Sequence, residues 1–301
     1  MTFTFGLVHA PLTPFAGGRI DTRTYGKVLD FHIAQGAEAL ALPMHAGESV
    51  SLTAVERQDL LAFAIRHVAG RVPVIAHVSE AGTAIAASLA AHAKAAGAAA
   101  LIASVPYYWT PPQHMLVEHF AAIGSAGGLP FFVLNTPSEM ADVEFAGKSV
   151  VELIGKLPNF AGLIDTSLDW QYMIEVVTVA RAERPDFQFV SGTEYMISAS
   201  AIGATGLLSP LASIAPRLVS NLYRACRAED YGAARPMQED AAILFRLMRD
   251  AGVPGLKAGA AAQGRDCGDP RAPLAAWRDG GALQTAMAQA RSFAAEPRGW
   301  A

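Results

Sequence analysis

Eight short apolar runs, each followed by a helical pattern, constrain this chain more than any other feature. They lie at Phe5–Ala10, Ala39–Pro43, Val72–His77, Ala98–Ser104, Pro130–Leu134, Phe160–Asp165, Phe187–Ser191 and Ala204–Leu208. Each is too short for a helix and is bounded by Gly, Pro or polar residues, so each reads as a buried strand. The intervening segments carry helix signals. Thr53 with Glu56 forms a capping box, Asp21 and Thr83 can act as N-caps, and Gly36 and Gly97 sit where a helix turns off. Gly-Ala pairs at Gly36-Ala37, Gly97-Ala98 and Gly203-Ala204 mark the same helix-to-strand junction three times. Near-continuous apolar strands alternating with helices imply a parallel sheet covered on its outer face. Eight of them predict an α/β fold, a closed (β/α)8 TIM barrel, and no GxGxxG follows the first strand to favour a dinucleotide-binding sheet.

Past the eighth run, helical patterns recur near Pro216–Ala228, Tyr231–Ala251 and Gly281–Ala295. No linker composition sets them apart. The expected organisation is a barrel over 1–215, with the last barrel helix and a C-terminal helical extension over 216–301 in the same structural unit. Of 301 residues 52% are hydrophobic and 17% charged, and 23 Lys and Arg face 27 Asp and Glu. A net charge of -4 offers no basic face for nucleic acid or anionic membrane. Ala84–Val105, the most apolar stretch, is interrupted by His92, Lys94 and Gly97 and does not read as a membrane span. Cys226 and Cys267 form no CxxC pair and fit a reducing compartment. With no secretory leader legible, a cytoplasmic protein is expected.

Several strings resemble one family in order and spacing. Gly6-Leu-Val-His-Ala10-Pro-Leu-Thr-Pro14-Phe15 resembles the first strand of the dihydrodipicolinate synthase/N-acetylneuraminate lyase family. Gly47-Glu48-Ser49 with Leu52-Thr53 and Glu56-Arg57 resembles its second strand-to-helix loop. Pro106-Tyr107-Tyr108, Pro112-Gln113 and His119-Phe120 resemble its fourth. Asn135-Thr-Pro137, Ser191-Gly192, Gly203-Ala-Thr-Gly206 and Arg271-Ala-Pro-Leu274 follow in register. The resemblance implies a class I aldolase barrel, a homodimer or homotetramer built from tight dimers. It also implies a lysine at the end of the sixth strand that forms a Schiff base with pyruvate or a related keto acid.

The residues at those positions depart from the family. Its Gly-Ile-Lys-Glu string reads Gly162-Leu163-Ile164-Asp165, putting Ile164 at the lysine position. The relay tyrosine position holds Leu134, and the Gly-Thr-Thr-Gly-Glu loop reads Met44-His45-Ala46-Gly47-Glu48. The synthases' arginine after the Tyr-Asn-x-Pro string aligns with Glu139. The chain's lysines are Lys27, Lys94, Lys148, Lys156 and Lys257. The first four fall in or beside helical patterns and the last in the C-terminal extension, so none is expected at a strand end.

What remains suggests acid/base chemistry. His45 replaces a hydroxyl that touches substrate in the family, and an imidazole there can bind a carboxylate or carry a proton. Tyr108 keeps the family's second tyrosine, and Ala46, Gly47, His77 and Gly192 are the expected substrate-lining positions. His77 stands where the family has glycine and should reshape the pocket. His9 and Asp165, by strand alternation, face the helices. His32, His67, His92, His114 and His119 sit in helical patterns, and Glu48 reads as a cap for the following helix. No His, Asp or Glu set has metal-ligand spacing, so no metal and no cofactor is expected. Two readings follow: a lyase-family enzyme acting on a small carboxylated, keto-acid-like molecule without an imine, or an inactive member serving as a ligand binder or assembly partner.

Overall fold

A computed structural model describes residues 3–300. All eight expected strands form: β1 (Leu7–His9), β2 (Ala39–Leu42), β3 (Val74–His77), β4 (Ala100–Ser104), β5 (Phe131–Asn135), β6 (Phe160–Asp165), β7 (Gln188–Ser191) and β8 (Gly206–Ser209). They pair in parallel in chain order, and β8 returns to β1 to close a barrel. A small antiparallel hairpin, Phe15–Ala16 with Arg19–Ile20, follows β1.

The chain divides into two compact units. One comprises the residues up to Gly6 with Ile75–Thr193 and Ser198–Leu207. Within it α3 (Thr83–Ala96), α4 (Gln113–Gly127), α5 (Gly147–Lys156) and α6 (Trp170–Glu183) pack each against the next. Thr83 is the first helical residue of α3 rather than its cap. Gly82 takes the cap position, and the Thr83 hydroxyl instead meets His119 Nδ1 at 2.8 Å.

The other unit comprises Leu7–Val74, Glu194–Ile197 and the chain from Leu208 onward. It holds α1 (Thr22–Ala34) and α2 (Ala54–Val68), capped by Asp21 and by the Thr53/Glu56 box as the sequence predicts. Its C-terminal part holds α8 (Pro216–Arg227), α9 (Tyr231–Ala262) and α10 (Gly280–Gln289); the brief helix α7 (Met196–Ala201) lies between β7 and β8. Helix α9 runs well beyond the predicted Ala251, kinked at Gly252, where φ 59° and ψ -148° are open to glycine and few other residues. Residues at α8's N-terminus have no local side-chain cap. The Glu296 carboxylate serves instead, accepting Arg217 N–H at 3.0 Å and Leu218 N–H at 2.8 Å. Arg265, fully buried, donates to the Pro297 and Ser213 carbonyls and ties this segment down.

Candidate functional site

In the first unit, hydrogen bonds fix which side of the sheet each strand-end residue faces. Asn135 donates to Asp165 Oδ1 at 2.8 Å and accepts Phe145 N–H at 3.0 Å, so both polar residues turn toward the helices. Burial raises the Asp165 carboxyl above its ordinary range, against the pull of Asn135 and Ser167. Successive strand residues alternate sides, so Leu134 and Ile164 face the barrel interior. They lie in direct register and continue a row from Ser104 to Val190. Leu134 is 3% exposed and Ile164 is fully buried. This row holds no ionisable side chain.

His77 pairs in register with Ile102, two residues before Ser104 on β4, and so faces the same side. It is buried, and its Nε2 lies 2.6 Å from Ser79 Oγ. Ser79 Oγ in turn accepts the Ser104 N–H at 2.7 Å. The amide N–H occupies one lone pair of the hydroxyl, which fixes it against the imidazole as either donor or acceptor according to the His77 tautomer. Gly192 is glycine for a local reason. A Cβ would fall 2.5 Å from the Thr166 methyl and 2.9 Å from the Asp165 carbonyl, and its N–H is already given to that carbonyl at 2.7 Å. Tyr108 is 89% exposed and held at φ 69°, with Trp109 edge-on at 5.2 Å.

In the second unit, the residues expected to hold substrate form a tight loop after β2. His45–Gly47 makes one 3-10 turn and Ser49–Ser51 another. Gly47 packs where a Cβ would meet Pro11 O at 3.0 Å and Thr13 Oγ1 at 3.1 Å, and its carbonyl takes the Thr13 hydroxyl at 2.7 Å. Ala46 is buried and His45 half-buried. Between the turns, Glu48 sits in the left-handed region at φ 59°, ψ 37°, a conformation that costs a non-glycine residue roughly 1–3 kcal/mol.

One expectation is corrected here. Glu48 does not cap α2, because Thr53 does. Its carboxylate is buried, with Oε1 2.7 Å from Lys257 Nζ and Oε2 accepting Arg271 N–H at 2.8 Å. Lys257 lies in the C-terminal extension, as expected, and is 4% exposed against this loop, its ammonium over the Phe15 ring at 4.4 Å. Arg271 stacks on the same ring at 4.7 Å and grips Glu56 through both guanidinium nitrogens, holding that carboxyl down at about 2.

Two further buried groups belong to this unit. Glu194 is fully buried, takes the Ser209 hydroxyl at 2.5 Å and the Leu211 N–H at 3.2 Å, and is raised by burial. His9 does face the helices, meeting His32 of α1 with 3.1 Å between the Nδ1 atoms. Among the described residues no group of three or more His, Cys, Asp or Glu could hold a metal ion, and no helix is long and apolar enough to cross a membrane.

A parallel (β/α)8 barrel with its distinctive polar residues at the C-terminal strand ends is the layout of barrel enzymes. Residues 4–289 match the model of the dihydrodipicolinate synthetase family, and the chain belongs to that family. It is 32% identical to the 4-hydroxy-tetrahydrodipicolinate synthase of Roseobacter denitrificans, over 84% of this chain and 86% of the relative. It is also 32% identical to that of Hyphomonas neptunium, over 90% and 92%. The fold matches the crystal structure of dihydrodipicolinate synthase from Aquifex aeolicus with a TM-score of 0.90 at 28% identity, covering 96% of this chain and 98% of the other. The protein is thus a dihydrodipicolinate synthase-like barrel of the lyase type.

Proposed function

We propose that this protein acts on a small carboxylated keto acid by acid/base chemistry, without the imine of its relatives. One observation carries the reading: the strand-end row that would present an amine to substrate holds no ionisable side chain, with Ile164 buried beside Leu134. Elsewhere, Lys27, Lys94, Lys148 and Lys156 are exposed on outer helices, and Lys257 is committed to Glu48. His45 carries the proton, and Tyr108 retains the relay hydroxyl. His77 with Ser79 lines the interior, and Ala46 and Gly47 shape the loop that in relatives holds the carboxylate.

The elementary step is removal of a proton from carbon beside the keto group. Pyruvate is the simplest probe. In D2O the wild type should exchange pyruvate methyl protons for deuterium, followed by proton NMR. His45→Ala should fold normally and lose exchange by about 100-fold or more, the scale of one general acid–base group. Exchange that persists unchanged in His45→Ala would reduce the residue to a space-filler. Absence of exchange in the wild type would favour the second reading, a ligand binder or assembly partner.

That second reading draws on the Tyr108–Trp109 pair, two large rings left in solvent, of which Tyr108 is 89% and Trp109 59% exposed. Exposed aromatic pairs of this kind mark interfaces. The protein is expected to be a dimer or tetramer by light scattering at micromolar concentration, and Tyr108→Asp/Trp109→Asp to shift it toward monomer. A monodisperse wild-type monomer would count against self-association through these rings.

A further inference from the structure

We infer that Lys257 is a positioning residue for the His45 loop, acting through Glu48. The inference rests on the reading of His45 as the proton carrier, and its geometry lies wholly within the second unit. Glu48 N–H closes the first turn on the His45 carbonyl at 2.8 Å, and Ser51 N–H closes the second on the Glu48 carbonyl at 2.8 Å. Glu48 is therefore the hinge between the turns. Its left-handed backbone is unfavourable for a side chain unless that side chain is held. Two partners hold it, the Lys257 ammonium at 2.7 Å and the Arg271 N–H at 2.8 Å.

Of these two direct contacts the lysine is the charged one, and it is itself held by Glu48. It is 4% exposed, and its other contacts are the Asp269 carbonyl at 3.3 Å and the face of Phe15. A buried ion pair is an uncertain source of stability, since apolar replacement of both partners is often tolerated. It does fix direction: a carboxylate drawn to one ammonium admits one loop geometry. Lys257 lies in the part of α9 that follows the Gly252 kink, so the kink delivers this ammonium to the loop.

The test compares Lys257→Met, Lys257→Arg and the neutral double variant Glu48→Gln/Lys257→Met. Amide hydrogen exchange is read over residues 45–51 and, as internal reference, over strand β4. In parallel, NMR follows the pH titration of the His45 imidazole. Lys257→Met is expected to speed exchange over 45–51 by at least tenfold and shift the His45 titration, leaving β4 unchanged. Lys257→Arg, which keeps a positive charge for Glu48, should loosen the loop less than Lys257→Met does. Should Lys257→Met fail to fold, the double variant buries no unpaired charge and still lacks the tether. It should melt near wild type yet show the loosened loop. Wild-type loop exchange and His45 titration in the double variant would overturn the inference, leaving the pair as charge balance alone. These readouts need no turnover, so a failure here is distinct from a failure of His45→Ala to affect proton exchange.

Discussion

Pyruvate followed by borohydride is expected to leave the mass of this protein unchanged. Trapping requires an unprotonated amine that meets the keto carbon inside a site. Position 164 offers a branched hydrocarbon, fully buried in a row with Leu134 and Val190. Four lysines lie on the exposed faces of outer helices, where nothing orients a keto acid. The fifth, Lys257, is 4% exposed with its Nζ 2.7 Å from the Glu48 carboxylate, so it is taken up by that contact and closed off from a keto acid. A specific adduct mapped by peptide mass to Lys257 would overturn this account and move the chemistry to the C-terminal helix. Ile164→Lys alone should restore little. The new amine would enter apolar surroundings that lower its pKa, making imine formation possible. By the resemblance to the family, Leu134 takes the position of the relay tyrosine, and His45 and Ala46 those of the carboxylate-binding hydroxyls. Turnover should remain at least about 100-fold below that of a synthase relative, because groups that act as a unit do not recover singly. Robust turnover from the single substitution would mean that the remaining replacements are tolerated.

The barrel was legible because a strand buried on both faces must be apolar along its length, and eight such runs leave few alternatives. Alternation also correctly sent His9 and Asp165 to the helix side. What stayed hidden depends on contacts between distant parts of the chain. Glu48 just before a helix looks like a cap, and nothing local reveals that its backbone is left-handed or that its partner is Lys257. Lys257 itself looks like an ordinary helical lysine. Its apolar neighbours Leu256 and Ala260 were the available hint that this turn of α9 is buried. The role of Gly192 was equally obscure, since its need for glycine comes from Asp165 and Thr166 on another strand's end.

Mild acid should destabilise this protein through the His9–His32 pair. Both imidazoles are buried, with 3.1 Å between their Nδ1 atoms, and Arg265 adds positive charge near His32. Desolvation pushes His9 down to about 3 from an ordinary 6.5, and His32 well below its ordinary value. The unfolded chain therefore binds more protons than the folded one from about pH 6.5 downward. The stability contributed by keeping both rings neutral is complete above that value and is lost as pH falls toward 3. Each ring can contribute a slope of up to about 1.4 kcal/mol per pH unit, so on the order of 4 kcal/mol should go between pH 7 and pH 4.5. Buried Asp165 and Glu194 act in the opposite sense, because their raised pKa values favour the folded state as they protonate. The pair is therefore isolated by difference. His9→Leu/His32→Leu removes both ring partners together and leaves neither orphaned. Urea unfolding from pH 7 to pH 4.5 should show a markedly flatter loss of stability in the double variant than in the wild type. Equal slopes would mean that the two rings are charged in the fold, or that other groups govern its acid sensitivity.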